Sequence, residues 1–476
     1  MKFDERWRAL DPAWRFALGA YLVARVALSA WTFVIATLFP VVAQNLDLFG
    51  APVLAVFDLA SGERYAYSRE VDGAVLTFRA GESGFVVDAQ TGSVWSLREG
   101  RAIAGAYAGR ALGASSYSVE DIFPYRSIAP ETNVFLSVWQ RFDTNWYLEI
   151  ARDGYVDAGS KVYFPLYPLL IRLVSALVGN AMLAALLISN VALIGALVLL
   201  YRLSEALFGA TSARRAVAYW LVFPTAFFLF AAYTESLFLF LVLAAFDCAR
   251  RERWVLAALF GALAALTRLQ GVLLVVPLAI WGFRFQVSGS RLEVQSSRIT
   301  QYAIRHTQYA IRHTQYAIRN MRYAILLIPL ATLAFLAYTN LALLASYEGE
   351  LHARFVLPWE NLAAALALIV DGRASFIDGL NVLATLGFGA LLIVVWRAVP
   401  REYAVYALLM YLAPLFRMTT LQPLVSMDRY VLAIFPAFIW LGARGQNAWV
   451  NRAVVYLSFP LQLYLSAQFV LWGWVG

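Results

Sequence analysis

The feature that most constrains this chain is a succession of long apolar runs separated by short clusters of Arg and Lys. A helix crossing a bilayer needs roughly 20 predominantly apolar residues, and about eleven runs approach that length: 14–42, 181–201, 215–232, 235–249, 254–267, 270–283, 323–345, 376–396, 402–416, 430–443 and 453–474. Cytoplasmic loops collect Lys and Arg. With the N-terminus cytoplasmic, Lys2/Arg6/Arg8, Arg202/Arg214/Arg215, Arg250/Arg251/Arg253, the loop from Arg284 to Arg322, Arg397/Arg401 and Arg444/Arg452 all fall on one side. The first run is too long for a signal-peptide core and reads as a retained span.

Composition agrees. Only 14% of the 476 residues are charged and 61% are hydrophobic, against roughly 25% charged in a soluble chain. The net charge of +8 points away from nucleic acid, because its cations sit between apolar runs rather than on a soluble basic patch. Cys248 is the only cysteine. Neither a disulfide framework nor a cysteine metal site can therefore form within the chain.

Two segments need closer reading. Trp254 to Phe283 as one helix would be about 45 Å long against a hydrocarbon core of about 30 Å. Two shorter helices meeting near Thr267–Gly271 fit better and put Arg268 at the outer end. Tyr163 to Val178, with breakers at Pro165, Pro168 and Gly179, reads as a re-entrant or interfacial helix.

Residues 44–161 form the long hydrophilic stretch, with 10 Lys/Arg against 15 Asp/Glu, a net of −5 that suits the outer face. Within 51–104, short β-like runs with Gly between them (Val53–Phe57, Tyr65–Ser68, Ala74–Phe78, Gly84–Val87, Ser93–Leu97) predict a small β-rich insert. The expected architecture is an all-α polytopic membrane protein carrying that insert. Its parts are an N-terminal tail and first span (1–43), the outer loop (44–161) with a catalytic-loop segment at 135–161, a membrane core (162–283), a basic cytoplasmic loop (284–322) and a C-terminal membrane region (323–476). The loop holds a tandem heptad, TQYAIRH, TQYAIRH, TQYAIRN, over 300–320. It reads as a tolerated duplication, the alternative being a basic interfacial helix with Tyr302, Arg305, His306 and Tyr309 on one face. His306 and His313 lack a third ligand, so no metal site is expected there.

The residues able to carry chemistry gather on the outer side of this topology. Asp143 stands ahead of Trp146 and Tyr147 in RFDTNWYLEIARDGY (Arg141–Tyr155), and YFPLYP (Tyr163–Pro168), with Tyr167, follows. Glu235 follows Tyr233 and Thr234; Arg268 interrupts the 254–283 run; Asp428–Arg429–Tyr430 opens a late one. An ionised group at a span centre costs roughly 2.5–3.5 kcal/mol on insertion scales, so each must be paired, interfacial or functional. Arginines at membrane level suit a lipid phosphate, and a carboxylate beside it can accept a proton from an attacking hydroxyl.

Those runs, together with FPTAFFLFAAYTESLFLF (Phe223–Phe240), ALTRLQG (Ala265–Gly271) and DRYVLAIFPAF (Asp428–Phe438), resemble the PIG-V type, the GPI mannosyltransferase 2 family of the GT-C glycosyltransferases, as found in prokaryotic relatives. The resemblance covers about 135–283 and more loosely the C-terminal part. It implies a GT-C-like multi-span fold and a hexosyltransferase taking a sugar, mannose in this family, from a polyprenyl- or dolichyl-phosphate donor to a glycan, lipid or protein acceptor with inversion. Asp143 would be the base or a metal-orienting group, Glu235 the second catalytic acid, and Arg268 and Arg429 the donor-phosphate ligands. Trp146, Tyr147, Tyr167, Tyr233 and Asp428 would contact substrate. No cofactor is implied beyond an optional divalent cation. The location implied is the cell membrane, or the endoplasmic reticulum membrane in a eukaryote. This sequence departs from the pattern in its insert, in Phe142 where the family has Trp, and in the heptads. A transporter or flippase of lipid-linked sugars is the competing reading, but it predicts inverted repeats and midplane charges, which the sequence lacks.

Overall fold

The computed structural model describes Trp7 and residues 9–284, 323–339, 353–419 and 422–475. The heptads at 300–320 lie outside the described residues, as does most of the basic loop. Among the described residues, four helices are long and apolar enough to cross a membrane: Pro12–Leu38, Ala181–Phe208, Phe376–Ala398 and Ala448–Val470. The protein is a multi-pass membrane protein on that count.

Local chemistry sets the bounds of these helices. Asp11 caps the first, its carboxylate accepting from the Ala13 amide at 2.9 Å, with Pro12 at the first helical position. That helix stops before Pro40, which disfavours helical backbone in the residue ahead of it. Asn180 caps the second by accepting from the Leu183 amide, and Gly209 ends it at φ 82°. Of the apolar window of Ala181–Phe208, 61% is buried, against 17% for Pro12–Leu38. The former is the central post of the bundle, and the latter lies at its edge.

The expectation of about eleven spans is overturned. The remaining runs form helices too short to cross: Ala210–Val222, Glu235–Arg250, Trp254–Ala265, Val275–Arg284, Leu327–Tyr338, Arg401–Leu415 and Phe435–Arg444, of 10 to 16 residues each. Hydropathy marks any segment hidden from water, and Ala210–Val222 and Glu235–Arg250 are hidden largely by protein, whereas Leu327–Tyr338 keeps Leu327, Leu330, Leu333 and Tyr338 exposed. Phe227, Leu229, Ala231, Val242 and Phe246 are all fully buried in one core.

Between Val222 and Glu235 the chain is unwound apart from one 3₁₀ turn, Ala226–Leu229. Free carbonyls at that depth must find donors inside the protein. Ser236 supplies Leu229 O at 2.6 Å, Asn190 supplies Phe230 O at 3.0 Å, Ser189 supplies Tyr233 O at 2.8 Å and Gln462 supplies Leu221 O at 2.8 Å. The 254–283 run is broken where expected. Helix Trp254–Ala265 ends, Arg268 is extended, and a 3₁₀ segment Leu269–Leu274 follows. A side chain at Gly271 would meet the Ala264 carbonyl at 2.5 Å, so the turn requires glycine.

The insert is β-rich and is not a barrel. Strands Val41–Leu48, Ala51–Asp58 and Arg64–Ser68 form one antiparallel sheet; Phe78–Ala80, Phe85–Asp88, Val94–Ser96 and Arg101–Ala104 form a second. Hydropathy puts Val41–Leu48 at the end of the first span and in the loop after it, and the β-like runs do not include Arg101–Ala104, yet both are strands. The middle strand is two-faced, as period-2 side chains require. Leu54 and Val56 join Trp95 in the insert's own core, while Ala55 and Phe57 pack with Tyr125 and Trp472 near the C-terminal end. The insert is thereby fixed to the segment that carries Asp143.

Candidate active site

Asp143 opens the helix Asp143–Asp153 behind Phe142, whose φ of 46° turns the chain sharply into it. The preceding Arg141 holds that turn. Its guanidinium is fully buried, with Nε donating to Val470 O at 3.0 Å and Nη1 to Ser137 O at 2.6 Å and Gln140 O at 3.0 Å. Its own carbonyl accepts from the Tyr233 hydroxyl at 3.3 Å. The end of the last long helix and the start of the Asp143 helix are tied through this one side chain.

Four charged groups from distant parts of the sequence then meet. Arg429 Nη1 and Nη2 each lie 3.2 Å from Asp143 Oδ2, and its Nε donates to Glu235 Oε1 at 2.6 Å. Arg268 Nη1 donates to the same Glu235 oxygen at 2.5 Å. The other Asp143 oxygen accepts from the Tyr163 hydroxyl at 3.1 Å. Two carboxylates and two guanidiniums balance in charge, with Glu235 at the closed end and Asp143 at the open one: their side chains are 4% and 24% exposed.

Electrostatics follow from that arrangement. Burial alone would raise the Glu235 carboxyl, but the Arg429 and Arg268 charges outweigh it and hold the group down at about 2. Burial likewise opposes ionisation of Tyr430, yet Arg417, Arg268 and Arg429 pull its phenol below the ordinary value.

The cleft in front of Asp143 measures about 160 Å³, and Tyr147, Tyr163, Arg268, Gln270, Arg429 and Tyr430 are among its walls. Asp143, Glu235, Arg268, Arg429 and Tyr147 thus come together as the sequence suggested. Tyr233 lies beneath them, its ring 4.7 Å from the Arg429 guanidinium. Three others do not line the cleft. Tyr167 is fully buried and donates to Ala185 O at 2.9 Å. Trp146 stacks on Tyr163 at 5.2 Å with Arg126 over its ring, outside the cleft wall. Asp428 is buried, its main chain held by Asn381 and Thr225, and among the described residues no side chain donates to its carboxylate. Burial raises its carboxyl to about 6.

Tyr163, Gln270, Arg417 and Tyr430 are not among the residues the sequence singles out, though all but Arg417 stand inside the quoted motifs. Among the described residues, no group of three or more His, Cys, Asp or Glu side chains is placed to hold a metal ion.

Residues 163–302 match the family described as dolichyl-phosphate-mannose-protein mannosyltransferase. Over that part the chain is similar to a GT-C-type glycosyltransferase family that uses a lipid-phosphate sugar. The match includes Tyr163, Glu235 and Arg268 but not Asp143 or Arg429, and it does not single out the GPI mannosyltransferase 2 type. No curated protein matches the chain.

Proposed function

We propose that the chain is an integral membrane glycosyltransferase moving a hexose, mannose in the first instance, from a polyprenyl- or dolichyl-phosphate donor to an acceptor hydroxyl on the non-cytoplasmic face. The observation that carries this reading is the meeting of Asp143 with Arg429, Glu235 and Arg268 at one cleft. A diester phosphate entering there would face two guanidiniums already oriented by Glu235. Asp143, at the open end, would accept the proton of a hydroxyl.

In the step so described, the acceptor oxygen attacks the anomeric carbon as Asp143 takes its proton. The bond from that carbon to the phosphate oxygen breaks, and the lipid phosphate departs with the electron pair. Arg268 and Arg429 offset the charge that develops on it. Glu235, with both arginines on one oxygen and 4% exposure, acts by positioning them rather than by proton transfer. Within this class we place the chain nearest the GPI mannosyltransferase 2 type, on the Asp143 and Arg268 motifs.

The test is transfer in membrane vesicles containing the protein, with polyprenyl-phosphate mannose compared against a nucleotide-activated mannose. The lipid-linked donor should label extracted acceptors and the nucleotide sugar should not. Labelling from the nucleotide sugar alone would reject the reading.

A further inference from the structure

A second feature lies away from the Asp143 cleft. Between the long helices Pro12–Leu38 and Ala448–Val470 and the shorter Ala210–Val222 runs an apolar cleft of about 890 Å³, with none of the residues around Asp143 in its walls. Its floor is made of small side chains, Gly19 and Ala27 on the first helix and Ala218 on the short one, with Trp31, Phe459 and Leu463 along its sides. On the first helix the lining extends from Arg15 to Val34, about 28 Å at 1.5 Å per residue. That is close to the thickness of a hydrocarbon core. The helices are bridged across it near the far end, where Trp31 Nε1 donates to Leu463 O at 2.9 Å.

The charges at its near end are the second observation. Arg15 is itself part of the wall. Arg214 lies four residues before Ala218, and Arg452 seven before Phe459, so each shares a helix face with a lining residue one or two turns toward the same end. Each of the three helices therefore contributes one arginine there. Arg214 and Arg452 are exposed and Arg15 is half-buried. The guanidiniums of Arg15 and Arg214 make no hydrogen bond or ion pair with a described residue, and that of Arg452 meets the Trp449 ring at 5.9 Å. The nearby Asp11 leans the other way, to Arg202 at 3.6 Å.

An apolar trough of membrane length that ends in three arginines with no counter-charge among the described residues complements one kind of molecule, a lipid with an anionic phosphate head. We infer that this cleft is a binding site for an anionic phospholipid, its acyl chain along Gly19, Ala27 and Ala218 and its phosphate on Arg15, Arg214 and Arg452. The lipid completes the packing of Pro12–Leu38, the least buried of the four long helices. The site does not depend on the glycosyltransferase reading.

The test is thermal unfolding of the full chain in neutral detergent with phosphatidylglycerol, phosphatidylcholine or inorganic phosphate added. Phosphatidylglycerol should raise the midpoint by several degrees more than phosphatidylcholine. That advantage should shrink in high salt and vanish in an R15Q/R214Q/R452Q variant, and inorganic phosphate should not reproduce it. Equal stabilisation by both lipids, a full response in the variant, or stabilisation by phosphate alone would overturn the inference. If the variant does not fold, the salt titration of the unaltered protein decides, and an advantage insensitive to salt counts against the site. A detergent-stable dimer that dissociates on Ala27→Leu would assign the cleft to a second copy instead.

Discussion

Replacing Glu235 by Gln removes one negative charge and almost no volume, so its effect isolates the electrostatics of the cluster. Glu235 Oε1 receives Arg429 Nε at 2.6 Å and Arg268 Nη1 at 2.5 Å, on a side chain 4% exposed. Hydrogen bonds to charged groups contribute about 1.5–3 kcal/mol each, and removing one partner of a buried ion pair costs about 3–5 kcal/mol. Gln retains an acceptor oxygen, which places the expected loss near the lower figure, about 3 kcal/mol. The cluster passes from neutral to a net charge of +1. The assay is thermal unfolding of the detergent-purified chain, with E235Q unfolding several degrees below the unaltered protein. The sign with pH follows from a folded value of about 2 against an ordinary 4.5. The stabilisation is fully present above about 4.5 and is lost as pH falls toward 2, so the gap between the two proteins stays constant from pH 8 to pH 5. Equal midpoints, or a gap that closes by pH 6, would refute the reasoning.

Other outcomes follow from the same geometry. Asp428, raised to about 6 from 3.8 by burial, binds more protons folded than unfolded between those values, so it makes the fold less stable as pH rises through them. D428N should remove up to about 3 kcal/mol of that penalty at pH 7 and change little at pH 4, read as unfolding midpoints at the two pH values. R141K keeps the charge but loses the fork that joins Val470 O to Ser137 O. It should lower kcat at least tenfold with the donor KM nearly unchanged, because Arg268 and Arg429 are untouched; steady-state kinetics in vesicles check this. Y163F removes the hydroxyl from Asp143 Oδ1 and should leave the unfolding free energy within about 1 kcal/mol of the original while reducing the transfer rate.

The site was more legible than the architecture, for a physical reason. An ionisable residue inside an apolar run is costly wherever the run ends up, so Glu235, Arg268 and Arg429 announced themselves individually, and their only economical arrangement is together. The break at Arg268 was legible from length, since one 30-residue helix does not fit a bilayer. The span count was not. Phe223–Thr234 is as apolar as a span, but its carbonyls are satisfied by Ser189, Asn190 and Ser236, partners that hydropathy does not register. Tyr167 and Tyr163 sit in the same motif four residues apart, and only the fold separates them: one donates into the core and the other to Asp143. Arg141 was passed over because it lies in a hydrophilic loop, where an arginine carries no signal. Its importance comes from burial against a helix end 329 residues away.

The most direct test of the central claim is sugar transfer from polyprenyl-phosphate mannose by the D143N protein in membrane vesicles, with unfolding measured in parallel. The account predicts transfer reduced by about 10²-fold or more, the range typical of losing a general base, from a protein that still unfolds cooperatively. Transfer at the unaltered rate from folded D143N would contradict it.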